Sequence, residues 1–154
     1  MTKNLLIIAH APSKNTRMLA KAALLGASHP DIGEVNVMAM SPFDVRVEEL
    51  EKADGVIIGT TENIGYMAGA TKDMFDRCYN DWLDQKQGMP VAFYIRAGLD
   101  GTATKNALTA ISNAQKWRMI AEPLILHGEW QDSYQEEVRD LAIGFAMGLE
   151  DGIF

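Results

Sequence analysis

Asn4-Leu5-Leu6-Ile7-Ile8-Ala9-His10-Ala11-Pro12-Ser13-Lys14-Asn15-Thr16 decides how this chain is read. The first six residues form a short apolar run rich in Leu and Ile, the pattern of a buried strand. The next residues are small and polar. From there apolar positions recur at helical spacing. A strand that turns directly into a helix is half of a βαβ unit, and the rest of the chain repeats it.

Short apolar runs predict strands at Asn4–Ala9, Val35–Ala39, Gly55–Gly59, Val91–Ile95 and Ile120–Leu126. Helical stripes lie between and after them. Met18, Leu19, Ala22 and Leu25 share one face. Met67, Met74, Phe75, Cys78, Tyr79 and Trp82 share another. Ala103, Ala107, Ala110, Ile111 and Ala114 form a third, and Val138, Leu141, Ala142, Phe145 and Leu149 a fourth. A short helix is expected over 45–52. Five alternations of β and α imply an α/β fold, a doubly wound five-stranded parallel sheet with helices on both faces. Asn4–Ala9 and Gly55–Gly59 are apolar throughout, as central strands are. Val35-Asn36-Val37-Met38 alternates, as an edge strand does. That favours strand order 2-1-3-4-5, in which ligands bind beyond the carboxyl ends of strands 1, 3 and 4.

Composition narrows the functions. The chain has 154 residues, 47% of them hydrophobic and 23% charged, enough for one domain spanning 1–154 with a substantial core. No apolar run approaches the roughly 20 residues that span a bilayer. The N-terminal residues do not show a signal-peptide pattern. The single cysteine, Cys78, excludes an intrachain disulfide and fits a reducing, cytoplasmic setting. It falls on an apolar helical stripe and reads as an inert core thiol. A net charge of −7 argues against nucleic acid and anionic membranes as partners. His10, His29 and His127 share no ligand spacing, so no metal site is expected.

Three loops follow the strands at the ligand-binding edge. In the first, Ser13, Asn15 and Thr16 can bond phosphate oxygens at the start of a helix, whose unpaired N–H groups and dipole favour an anion. Lys14 and Arg17 add positive field. The same residues would serve if Ser13 or Asn15 only capped the helix. The second loop, 60–69, combines Asn63, two glycines and Tyr66, an aromatic that can lie against a flat ring or pack on the next helix. The third, 96–102, brings Arg96, Gly98 and Gly101, and also suits a plain polar turn. His10 reads as a strand-end histidine bonded to nearby backbone, with a proton-transfer role as the other reading. No G-x-G-x-x-G or P-loop motif follows the first strand. Gly59-Thr60 stands where a response regulator needs an acid, and the first loop lacks the cysteine of a low-molecular-weight phosphatase. The acids at 48–54 and 136–140 read as solvated helix faces or as a docking surface for a basic partner.

With these loops placed, the chain resembles the flavodoxin-like superfamily, above all the flavodoxin-type NAD(P)H-dependent FMN and quinone reductases. "APSKNTRMLAKAA", "GTTENIGYMAGATKDMFDR" and "RAGLDGTATKNAL" carry the resemblance, which covers essentially the whole chain. It implies a flavodoxin-like FMN-binding domain. Ser13, Asn15 and Thr16 would bind the FMN phosphate. Thr61, Glu62, Asn63, Ile64, Gly65, Tyr66 and Met67 would line the isoalloxazine. Arg96, Ala97, Gly98, Leu99, Asp100 and Gly101 would cover its pyrimidine side. No catalytic side chain is implied, because the flavin carries the redox chemistry. The activity implied is transfer of electrons from NADPH or NADH through FMN to a quinone, flavin or similar acceptor. The alternative is a flavodoxin-type carrier that serves a redox partner protein. A homo-oligomer is compatible with either. The third loop lacks the aromatic that carrier flavodoxins commonly place there.

Overall fold

The computed structural model describes residues 1–154. Its elements are β1 (Lys3–Ala9), α1 (Lys14–Ala27), β2 (Val35–Met40), α2 (Val47–Lys52), β3 (Gly55–Asn63), β4 (Tyr66–Met67), α3 (Gly69–Trp82), β5 (Pro90–Ala97), α4 (Thr102–Ala114), β6 (Arg118–Met119), β7 (Leu124–His127) and α5 (Ser133–Glu150). A single 3-10 turn, Pro42–Asp44, joins β2 to α2.

The sheet is parallel in the order β2-β1-β3-β5, with β6 and β7 both beside β5. That is the expected 2-1-3-4-5 arrangement with its last position divided. β6 pairs Arg118 with Pro90 and Met119 with Val91; β7 pairs Leu124–His127 with Tyr94–Ala97. Of the strand expected at 120–126, only Leu124–Leu126 is strand, the start of β7; β6 lies ahead of the expected span and residues 120–123 form the gap between the two. Pro123 lies in the break, and proline has no N–H to give the ladder.

β1 is buried through its centre, with Leu5, Leu6, Ile7 and Ile8 at 3% exposure or less. β1 and β3 lie between other strands and are covered on both faces, which is why their sequences are apolar without alternation. Leu6, Ile8, Val56 and Ile58 face α3 and α4 together with Phe75, Trp82 and Trp117. Leu5, Ile7, Ile57 and Tyr94 face α1 and α5.

Two helical stripes are turned from their expected positions. On α1 the buried residues are Thr16, Leu19, Ala22, Ala23, Gly26 and Ala27, whereas Leu25 is exposed. The cause is the close approach of α5. A Cβ at Gly26 would stand 2.4 Å from the Arg139 carbonyl oxygen, so α1 presents its small residues there and turns Leu24 and Leu25 outward. On α4 the buried residues are Thr104, Leu108 and Ser112, with Ala107 and Ile111 at the margin. Burying Leu108 removes more apolar area from water than burying the alanines at 103, 110 and 114, which remain outside. The stripe of α5 is seated as expected, and so is that of α3 except for Met67, which is buried on β4 ahead of the helix.

A four-loop edge as the candidate functional site

The carboxyl ends of β1, β3 and β5 are neighbours. Ala9 pairs with Gly59, Gly59 with Tyr94, and Thr61 with Arg96. Adjacent strands lie roughly 4.8 Å apart, so the three loops leave the sheet side by side.

The first loop starts with the His10 N–H donating to the Gly59 carbonyl at 2.9 Å. Burial holds the His10 imidazole below its ordinary pKa and favours the neutral form. Ser13 is the N-cap of α1. Its Oγ accepts from the Thr16 N–H at 3.1 Å, and its own N–H donates to Thr16 Oγ1 at 2.9 Å. The two hydroxyls are 2.8 Å apart. Ser13 and Thr16 thus form a reciprocal capping box. That choice leaves the N–H groups of Lys14 and Asn15 without a protein acceptor at the positive end of a 14-residue helix. Thr16 is buried, Asn15 is half-buried, and Ser13 and Lys14 are exposed.

The second loop is more structured than the sequence suggests. β3 runs four residues past its expected end and folds back on β4, pairing Glu62 with Met67 and Asn63 with Tyr66. Ile64 and Gly65 make the turn with φ of 52° and 73°, both positive, as a type I′ hairpin requires. Ile64 and Tyr66 project into solvent, and Met67 is buried below them. The base is rigid: Thr60 Oγ1 and Thr71 Oγ1 are 2.8 Å apart, and Thr61 Oγ1 donates to Asn63 Oδ1 at 2.9 Å. Glu62 is half-buried beside them.

In the third loop Gly98, Leu99 and Asp100 are exposed and Ala97 is buried. Asp100 Oδ1 accepts from the Thr102 N–H at 3.0 Å. Gly101 precedes α4 with φ of 73°, and a Cβ there would stand 2.8 Å from Ile125 Cγ2, so both backbone and packing demand glycine.

Arg96 behaves differently from its neighbours. Its guanidinium donates to the carbonyls of Ala97 (2.9 Å), Leu126 (3.0 Å) and Gly128 (2.7 Å). It also stacks over Tyr134 at 5.5 Å and Trp130 at 5.9 Å. The side chain therefore turns toward the segment between β7 and α5, away from both Asp100 and bulk solvent. This makes a fourth loop, 128–132, part of the same edge. The Tyr134 hydroxyl donates to the His127 carbonyl, Trp130 Nε1 donates to Asp132 Oδ1 at 3.1 Å, and the two rings meet edge to face at 5.8 Å. Sequence reasoning missed this loop. The available signal was Trp130 immediately after a strand that ends the sheet.

Of the residues expected at the site, all sit at this one edge. Ser13, Asn63, Ile64, Tyr66, Leu99 and Asp100 are exposed there and Asn15 and Glu62 half-buried, whereas Thr16, Thr61, Met67, Ala97 and Gly101 are buried and Arg96 is committed to the fourth loop. Gly65 and Gly98 have open space where side chains would stand.

No protein-family model matches the sequence, and no curated protein matches it. Solved structures do. A flavodoxin from the domain Archaea superposes with a TM-score of 0.79 at 19% identity, over 96% of this chain and 99% of that one. A WrbA-like flavodoxin from Agrobacterium tumefaciens gives 0.75 at 16% identity, over 97% and 99%. Flavodoxin 1 from Bacillus cereus gives 0.74 at 18% identity, over 94% and 97%. Strand order, register and these three neighbours agree: the chain has a flavodoxin-like fold.

Proposed function

We propose that this chain binds FMN at the edge formed by β1, β3 and β5 and serves as an FMN-dependent oxidoreductase. The observation that carries the reading is the pair of unclaimed N–H groups at Lys14 and Asn15. They stand at a helix N-terminus beside two loops that leave open space at Gly65 and Gly98. The first feature suits a phosphate and the second a flat ring. Residues 1–154 would form a single FMN-binding domain.

Bound FMN would supply the redox chemistry. Ser13, Asn15 and Thr16 would hold its phosphate, with Lys14 and Arg17 adding positive field. Thr61 through Met67 would line one side of the ring, the Thr61–Asn63 bond fixing the base of that wall. Ala97 through Gly101 would line the other. Arg96 would act from behind, by locking the fourth loop against β5 and keeping one positive charge at the edge. The reductant would be NADPH or NADH, and the acceptor a quinone, a flavin or a similar molecule. The names of the neighbours, flavodoxins and a WrbA-like flavodoxin, are consistent with flavin binding.

FMN titrated into the protein should lose fluorescence at micromolar concentrations. Thr16→Val should weaken FMN while leaving riboflavin, which has no phosphate, nearly unaffected. Equal losses for both ligands would mean the loop acts through folding alone. Anaerobic NADPH or NADH should then bleach the bound flavin. Bleaching only by a separate reductase protein would make the chain an electron carrier.

A further inference from the structure

The opposite flank of the sheet has its own chemistry. β2 is the terminal strand and pairs only with β1. The Lys3 N–H donates to the Glu34 carbonyl at 2.9 Å. Backbone groups alternate along a strand, so Asn36, Met38 and Met40 direct theirs to β1, while the Glu34 N–H donates to Glu150 Oε1 at 2.6 Å. Those of Val35, Val37 and Ala39 point outward and make no bond. Soluble proteins commonly protect such an edge with lysine, proline, a bulge or a covering element. Val-Asn-Val-Met-Ala-Met contains none of these.

The covering helix is also short. α2 has six residues and leaves Met38 57% exposed. A groove of about 300 Å³ opens between α2 and the strand, over Leu6, Met38 and Ala53, with Glu49 and Lys52 on its rim. An unpaired, uncharged strand edge beside an apolar groove matches what an added strand needs: main-chain bonds for affinity and a recess for alternate side chains.

We propose that β2 and this groove bind an extended, cationic segment of a partner protein, which joins the sheet as an additional strand outside β2. Charge selects this occupant. Residues 31–54 carry seven carboxylates against Arg46 and Lys52, a net −5 of the chain's −7. Glu34 precedes the strand, Asp44 follows it, and Glu48, Glu49 and Glu51 stand on α2 beside it. Two copies paired edge to edge would bring these acids together within about a Debye length, roughly 10 Å at 0.1 M salt, which opposes self-pairing. A lysine-rich strand meets the opposite sign at both ends.

The probe is the synthetic peptide Lys-Val-Thr-Val-Lys-Val-Thr-Val-Lys-Thr, titrated into the ¹⁵N-labelled full chain. Amide resonances of Val35, Val37 and Ala39 should shift, and their hydrogen exchange should slow about tenfold or more. The same peptide with Glu at the three Lys positions should bind at least about tenfold more weakly, and added salt should weaken the lysine peptide. Val37→Pro removes an outward N–H at an edge position, where proline is tolerated, and should cost about tenfold in affinity. Met38→Lys charges the groove floor and should do likewise without touching the backbone. Absence of binding, shifts outside β2 and α2, equal binding of the two peptides, or indifference to both substitutions would overturn the proposal. Concentration-dependent dimerisation that protects the same three amides would overturn it too, by assigning the edge to a second copy.

Discussion

The Tyr94 ring occupies the space that any side chain on Gly59 would need. A Cβ at Gly59 would stand 2.0 Å from Tyr94 Cζ and 2.3 Å from its hydroxyl oxygen. The two residues are register partners on β3 and β5, and both are buried. Burial pushes the Tyr94 hydroxyl far above its ordinary pKa, so the phenol remains protonated in the fold. Gly59→Ala should lower stability by about 3 kcal/mol, the upper part of the range for overpacked cores, because a buried ring cannot swing aside as a flexible chain end does. Tyr94→Leu in the same chain should recover part of that loss. Denaturant melts of the two single variants and the double variant measure the coupling. Additive losses would show that ring and glycine do not share one space.

Arg96 offers a second test. Three carbonyls and two aromatic rings share its guanidinium, and no carboxylate does. Arg96→Ala would strand the acceptors at Leu126 and Gly128 and loosen Trp130. A loss of about 2 to 4 kcal/mol is expected, from hydrogen bonds to a charged donor. Differential scanning calorimetry of the protein with no ligand added should show Tm falling by about 5 to 10 °C. An unchanged Tm would mean that the fourth loop is held by Tyr134 alone.

Ile64 carries strain. A β-branched residue with φ of 52° lies in a region that costs L-residues roughly 1 to 2 kcal/mol. Ile64→Asn would create the Asn-Gly pair preferred by type I′ turns, and Ile64 is fully exposed, so no packing is lost. Stability should rise by about 0.5 to 1 kcal/mol, read as a higher urea midpoint at unchanged m. A lower midpoint would contradict this turn geometry.

His10 makes stability depend on pH with a defined sign. Its pKa in the folded chain lies below the ordinary value near 6.5, so between the two values the unfolded chain binds more protons. Its contribution should therefore weaken the fold as pH drops through about 6.5, with the loss levelling off below the folded-state pKa. In His10→Asn the urea midpoint should change less between pH 7 and pH 5 than in the parent. Identical pH slopes would show that His10 is equally hydrated in both states.

Sheet order was legible from residues 4–9, 35–39 and 55–59, because burial on two faces leaves no room for polar alternation and burial on one face demands it. The edge at the carboxyl ends of strands 1, 3 and 4 followed from that order, and with it the neighbouring positions of Ser13, Asn15, Thr16 and the 61–67 and 96–101 segments. These are local patterns, written in the period of the side chains.

Other features were settled only where segments far apart in the chain meet. Leu25 lost its expected place because Gly26 admits Arg139 on α5. The last strand begins only after Pro123, at Leu124, and a separate short strand, Arg118–Met119, pairs with the start of β5. Arg96 looked free to face a ligand, and its direction was set by carbonyls 30 and 32 residues away, at Leu126 and Gly128. Apolar periodicity tells which face of an element is buried. The choice of partner for a charged side chain depends on which acceptors the folded chain brings within about 3 Å, and that distance exists only once the sheet has closed around it.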